Sequence, residues 1–366
     1  MTISHPTLYI AISGHGYGHA GQMAAILTIV RQRLPDWRIV IQSAMPTALL
    51  RSLCGDDIVT APPLPEPTVA MHGPMDVDAE RTWQSHRDHH RELDAHIQQH
   101  AASMRDAGAD AVIANIPYTP LAAAQRLGLP TLAVCSLNWA DLLAHYWPVT
   151  SSGAAAALID EMTACYQAAE RFITPAPAMP MPRMPNVQPV GPLARCADQG
   201  GPALRDRLQT GDEERIVLAS MGGIPDAASS PTYPRLPGIR WLVTDAQPPT
   251  ERDDATSIND AAVPFLDALA GSDAVITKAA YGTIVEAACH GVPVIYVDRP
   301  DWPETPGLAQ WLDDYGNGIR LDRQSYQAGY LADAVEAALN RAPPKRPNPT
   351  GGEDTAAIIQ STLAGA

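Results

Sequence analysis

Leu8-Tyr9-Ile10-Ala11-Ile12-Ser13-Gly14-His15-Gly16-Tyr17-Gly18-His19-Ala20 is an apolar strand run that breaks into a glycine loop. An amphipathic helix, Gly21 to Arg33, is expected to follow. A strand that turns through small residues into a helix offers backbone N–H groups to an anion. The second half of the chain repeats the arrangement in Ser272-Asp273-Ala274-Val275-Ile276-Thr277-Lys278-Ala279-Ala280-Tyr281-Gly282-Thr283-Ile284-Val285-Glu286. The chain has 366 residues, about two domains by length. Two such turns in two halves point to a ligand held in a cleft between domains.

Around both turns, strand and helix patterns alternate. The first half gives strands at Arg38 to Gln42, Ala111 to Ala114 and Thr131 to Cys135. Between them run a polar helix, Thr82 to Ala107, and a short one, Leu121 to Leu127. The second half gives strands at Ile216 to Ser220, Trp241 to Thr244, Ala274 to Thr277 and Pro293 to Val297. Its helices are Phe265 to Ala270, Thr283 to His290, Leu331 to Asn340 and Asp354 to Leu363. This alternation predicts an α/β protein with doubly wound parallel sheets. Seven prolines between Pro175 and Pro192 exclude a packed helix or a central strand and read as a linker. The expected division is therefore a Rossmann-like domain over 1–174, a linker over 175–194 and a second domain over 195–345. A tail and helix over 346–366 complete it, the last helix crossing back to the first domain.

Net charge is −15, so neither nucleic acid nor an anionic membrane is an expected partner. An anionic ligand must be held locally. Only two of the 25 basic residues are lysines, Lys278 and Lys345, and Lys278 lies inside the second turn. Five scattered cysteines without a CxxC spacing read as reduced thiols of a cytoplasmic protein. Neither a signal peptide nor a transmembrane segment is expected.

The glycines at 14, 16 and 18 have the wrong spacing for a dinucleotide fingerprint, and Ile41-Gln42-Ser43 supplies no carboxylate for a ribose. No Gly-Lys-Ser/Thr follows, which excludes a P-loop. His86, His89 and His90 share a helical face, but Arg87, Asp88, Arg91 and Glu92 interleave with them. A solvated polar face is the expected account, rather than a metal site. Met179, Met181 and Met184 read as linker contacts.

Gly14-His15-Gly16-Tyr17-Gly18-His19-Ala20 resembles the N-terminal loop of GT-B glycosyltransferases. Lys278-Ala279-Ala280-Tyr281-Gly282-Thr283, Glu286-Ala287, Gly291-Val292-Pro293 and Arg299-Pro300-Asp301-Trp302-Pro303-Glu304 resemble the donor half of the same family. Gly191-Pro192 and Gly222-Gly223 also fit. The similarity is to the predicted glycosyltransferases related to the N-terminal half of plant L-arabinokinase. It extends more distantly to the peptidoglycan N-acetylglucosaminyltransferase. It covers nearly the whole chain, without the kinase half of the plant protein.

The resemblance implies a GT-B fold, two Rossmann-like domains facing a central cleft, the first on the acceptor side and the second binding the donor. It implies that His19, or else His15, is the general base. Gly14, Gly16 and Gly18 would let the loop pass close to the reaction centre. Gly222 and Gly223 would admit the donor phosphates. Lys278, Ala280, Tyr281, Gly282 and Thr283 would face the diphosphate. Glu286 would accept from the ribose hydroxyls, Asp301 and Glu304 would reach the transferred sugar, and the backbone from Val263 to Phe265 would read the base. Asn138, Trp139 and Asp141 form a polar-aromatic cluster for an acceptor, small or lipid-linked, or else pack between domains. Ala280 stands where the family has glycine, and Gly21-Gln22 where relatives often have arginine.

The implied reaction moves a sugar from a nucleotide-sugar co-substrate, a UDP-sugar, with inversion and without a metal or other cofactor. An imidazole of ordinary pKa, about 6.5, suits the base. The rivals are a non-hydrolysing nucleotide-sugar 2-epimerase and a non-catalytic nucleotide-sugar-binding protein.

Overall fold

The computed structural model describes residues 5–147, 153–197, 201–211, 213–222, 231–244 and 252–364. The chain forms two compact units. One comprises Met1–Met71, Val77–Leu193 and Pro349–Ala366; the other comprises His72–Asp76 and Ala194–Asn348.

The first unit is built on β1 (Thr7–Ile12), β2 (Arg38–Gln42) and β3 (Val59–Ala61). After a short ribbon of β4 (Met71–His72) and β5 (Asp76–Val77) come β6 (Ala111–Asn115), β7 (Thr131–Val134), β8 (Arg171–Pro175) and β9 (Val187–Val190). Among the described residues the sheet runs β3-β2-β1-β6-β7-β8-β9, and its pairings are parallel. The helices are α1 (Tyr17–Arg33), α2 (Thr47–Cys54), α3 (Ala79–Arg91), α4 (Leu93–Ala107), α5 (Thr119–Leu127), α6 (Trp139–Tyr146) and α7 (Gly153–Gln167).

The second unit has β10 (Arg215–Ser220), β11 (Ile239–Val243), β12 (Ala255–Ser257), β13 (Ala274–Lys278), β14 (Val294–Val297) and β15 (Gly318–Leu321). They form a parallel sheet ordered β12-β11-β10-β13-β14-β15. Its helices are α8 (Gly201–Leu208), α9 (Phe265–Gly271), α10 (Tyr281–His290), α11 (Thr305–Asp314), α12 (Arg323–Gln327) and α13 (Ala332–Leu339). A last helix, α14 (Gly351–Ala364), belongs to the first unit.

The central strands are apolar because parallel strands are covered on both faces. All six residues of β1 are buried, and in β10 only Arg215 is exposed. In each sheet the strand order reverses once, between β1 and β6 and between β10 and β13. Such a reversal leaves a crevice at the carboxyl ends of the two strands, where doubly wound sheets bind ligands. The registers fix what meets there. Ile12 pairs with Asn115, and Ser220 pairs with Thr277. Both glycine-bearing turns thus emerge at a switch point.

The structure differs from expectation at two helix starts, in one helix that is split and in the proline-dense stretch. Helix α1 starts at Tyr17 rather than Gly21, which puts His19 in its first turn. The single helix expected over 82–107 is two, broken at Glu92, whose φ of −121° leaves the helical region. The proline-dense stretch is not a free linker: Val187–Val190 pairs with β8. Pro189 is accommodated because β9 is the edge strand, where a missing N–H leaves no partner unsatisfied. Helix α14 opens at Gly351 and Gly352, ahead of the expected Asp354, and packs along α1. A side chain at Gly352 would press on the Ala25 carbonyl at 3.0 Å. The Gly351 amide donates to Pro192 O (3.0 Å) and the Gly191 amide to Asp354 (3.1 Å).

Candidate functional site

In the first unit the site grows from the loop after β1. The Ser13 amide donates to Asn115 O at 2.8 Å, which ties the loop to the end of β6. A Cβ at Gly14 would meet the Ala44 side chain at 3.1 Å, so packing alone favours glycine there. At Gly16 and Gly18 it would meet nothing within 4 Å. Packing therefore does not demand glycine at 16 or 18. The N-cap of α1, Gly16, supplies no side-chain acceptor, and its first turn carries no acidic residue, so the dipole end faces outward uncompensated.

His19 is buried and hydrogen-bonded through Nδ1 to Asn115 Oδ1 at 2.8 Å. Asn115 Nδ2 donates to Gln22 Oε1 (2.9 Å), and Gln22 Nε2 donates to Ser136 Oγ (3.4 Å). This directional chain assigns the His19 proton to Nδ1 and leaves a lone pair on Nε2. The expectation of an ordinary pKa is corrected. Burial lowers it to about 4, the Asn115 hydrogen bond only partly opposing. His19 is thus a neutral imidazole throughout the physiological range.

Beside it, the ring of the fully buried Trp139 lies edge-on to His15 (5.3 Å) and His19 (6.0 Å). Glu66, which the sequence did not single out, closes the other side. Its Oε2 accepts from the Gly14 amide at 3.1 Å. Its Oε1 is sealed from solvent. Burial pushes this carboxyl up to about 7, against the pull of Ser13, the Gly14 amide and Trp139. The signal for it was a lone carboxylate fixed among Pro62, Pro63, Pro65 and Pro67.

Of the expected acceptor cluster, only Trp139 joins the histidines. Asn138 is the N-cap of α6: it accepts from the Asp141 amide (2.8 Å) and donates to Asp141 Oδ2 (2.9 Å). Asp141 also meets Arg183 at 3.3 Å. Both polar side chains are committed to starting this helix.

In the second unit, Gly222 and Lys278 stand together at the switch point. Gly222 has φ +85°, and a Cβ on it would lie 3.5 Å from Lys278 Nζ. Lys278 Nζ donates to Pro74 O at 3.1 Å. Burial, helped by Arg299, lowers its pKa to about 7. Ala280 is the N-cap of α10 and gives no side-chain cap. Tyr281 is buried, while Gly282 and Thr283 are half-buried in the first turn. Gly223 lies outside the described residues.

Glu286 is buried and gripped by Arg195, Nε to Oε1 at 2.6 Å and Nη2 to Oε2 at 3.0 Å. It is not the open acceptor expected for a ribose, although each oxygen keeps a second lone pair. Glu304 is buried too and accepts from Trp302 Nε1 at 3.0 Å. Asp301 is exposed beside it. Arg299, which opens the motif ending at Glu304 but to which the sequence assigns no role of its own, lies over the Trp302 ring at 4.3 Å. Val263 and Phe265 are half-buried, their side chains packed against the core.

The histidines of α3 and α4 do not form a solvated face. His86, His89 and His100 are buried. His89 Nε2 meets Thr119 Oγ1 at 2.9 Å, and His90 joins Glu161 (2.7 Å) and Tyr118 (2.9 Å). The polar pattern is amphipathic with its imidazoles inward. Among the described residues, no three His, Cys, Asp or Glu side chains form a metal-holding group, and no helix is long and apolar enough to cross a membrane.

No family model matches the chain. It is 26% identical over 260 residues to L-arabinokinase of Arabidopsis thaliana, a match covering 70% of this chain and 25% of that protein. The chain therefore spans about a quarter of that relative. Among solved structures it resembles a UDP-glucosyltransferase from Polygonum tinctorium capable of glucosylating indoxyl, in complex with 3,4-dichloroaniline. There the TM-score is 0.60 at 16% identity, covering 100% of this chain and 95% of that one. It also resembles the spinosyn rhamnosyltransferase complexed with thymidine diphosphate, with TM-score 0.59 at 17% identity, covering 98% and 96%. These likenesses establish the fold as GT-B.

Proposed function

We propose that this chain is a glycosyltransferase that moves a sugar from a nucleoside diphosphate sugar, a UDP-sugar, to an acceptor hydroxyl. The observation that carries the reading is that each unit has one switch point and that the two differ in chemistry. One holds a neutral, oriented imidazole; the other holds a cation and an uncapped helix start. The relatives named above act on UDP-sugars or bind thymidine diphosphate, in keeping with a pyrimidine nucleotide donor.

In this reading His19 Nε2 takes the acceptor hydroxyl proton as the new bond to the anomeric carbon forms. The bond from that carbon to the diphosphate breaks on the opposite face, inverting the centre. Lys278 and the first-turn amides of α10 receive the charge on the leaving diphosphate. Glu286, seated by Arg195, turns its remaining lone pairs to the ribose, and Asp301 reaches the sugar. The first unit supplies the acceptor side, the second the donor side. A reducing, cytoplasmic setting belongs to the same proposal, in keeping with five scattered cysteines that show no CxxC spacing.

Calorimetric titration with UDP, dTDP, GDP, ADP and NAD tests it. UDP binding that is lost in Lys278→Met supports the donor assignment. Preference for another nucleotide redirects the donor, and no binding by any of the five, either to the parent or to an Asp76→Asn variant, removes the reading. Conversion of a UDP-sugar without acceptor marks an epimerase instead.

A further inference from the structure

Three consecutive residues of one short segment each give an oxygen to a different cation. Pro74 O accepts from Lys278 Nζ at 3.1 Å, and Met75 O accepts from Arg299 Nε at 3.2 Å. The Asp76 carboxylate is held by both terminal nitrogens of Arg323. The cations come from three adjacent parallel strands. Lys278 ends β13, Arg299 lies two residues past β14, and Arg323 lies two residues past β15. The register, Lys278 to Val297 and Val297 to Leu321, lines them up along the carboxyl edge of the sheet. Adjacent strands stand about 4.8 Å apart, so the row matches the spacing of linked phosphates better than a single anion. Arg299 acts electrostatically on both Lys278 and Asp76, which makes the three one site.

We propose that Arg299 and Arg323 join Lys278 as the diphosphate-binding cations, and that the chain's own segment Pro74–Asp76 fills this site until a nucleoside diphosphate displaces it. The proposal rests on the donor reading above. Two of the three contacts are neutral carbonyls, where a phosphate would bring full charge and stronger, charge-assisted bonds. The third is the Asp76–Arg323 pair, whose side chains are both 42% exposed. Such a pair holds weakly and yields to salt. Gly73, at φ +71°, gives the segment its turn, and Met75 packs against the core of the second unit as its anchor. The segment is thus an internal stand-in for the ligand, matched oxygen by oxygen and held by less.

The test pairs UDP titration with hydrogen exchange across residues 72–76 in the full chain. UDP is expected to raise exchange in that segment. Asp76→Asn, which weakens the latch, should tighten UDP about fivefold, and Arg299→Gln should weaken it at least about tenfold. Arg299→Gln is read only where its melting curve matches the parent. Asp76→Asn, at the surface, decides alone if that variant does not fold. UDP binding with unchanged exchange, and equal affinity in Asp76→Asn, overturns the displacement while the donor reading stands. UDP binding to Asp76→Asn but not to the parent supports strong self-occlusion. UDP binding to neither overturns both.

Discussion

His19 Nδ1 meets Asn115 Oδ1 at 2.8 Å, and the partner that orients the imidazole is therefore an amide, not a carboxylate. An amide fixes the tautomer without offering a charge to an imidazolium. Burial consequently prevails, and the pKa falls to about 4. In the proposed reaction the neutral form is the base, so His19 is expected to be competent at every pH above about 5 and to fail only below. In Asn115→Asp the new carboxylate stabilises the imidazolium and raises the pKa, by about 1–3 units for a close opposite charge. The acid limb of kcat/KM assigned to His19 should therefore move up in that variant, and His19→Ala should lose about 10²–10⁴-fold in rate.

Glu66 titrates higher than His19, at about 7. Its ionised form accepts from the Gly14 amide and so holds the loop that carries both histidines. An inflection near neutral pH in kcat/KM should therefore be present in the parent and absent in Glu66→Gln. If the inflection survives there, it belongs to another group.

The buried imidazoles govern acid stability. His86 and His89 are held down to about 3 and His100 to about 4, with burial the leading cause in each. Unfolded, each titrates at about 6.5. Between these values the unfolded chain binds more protons, so stability falls as pH drops from about 6.5 towards 3. The thermal midpoint should decrease between pH 7.5 and pH 5. In His100→Leu, which removes one such group, the decrease should be smaller.

Arg195 and Glu286 form a largely buried bidentate pair. Removing one partner leaves an uncompensated buried charge and costs about 3 kcal/mol. Arg195→Ala should lower the denaturant midpoint and weaken UDP together. Arg195→Lys should recover little, since an ammonium cannot form the two-point fork. UDP affinity that stays at the parental value in Arg195→Ala separates Glu286 from the ribose.

The two switch points were legible because their signal is local: an apolar strand, a break at small residues, a helix. Gln22 was noticed only as a missing arginine, and Asn115 only as the polar end of a strand. Their partnership with His19 spans 96 positions of sequence, and no periodicity encodes it. The roles of Arg195, Arg299 and Arg323 were hidden for the same reason, since an arginine in sequence looks alike whether it meets water or a carboxylate. Asn138 and Asp141 misled in the opposite sense. A residue that caps a helix and one that binds a hydroxyl are chosen for the same oxygen. Pro189 misled because a strand that excludes proline in a sheet's interior tolerates it at the rim.

Helix α14 lies on α1, the helix that carries His19, although all of the second unit's sequence beyond residue 193 intervenes between them. On the ribosome, the first unit cannot acquire this layer until the second has been synthesised in full. Formation of the complete first unit is thus delayed by the synthesis of a whole neighbouring domain, and the chain's slowest commitment is to the half that begins it.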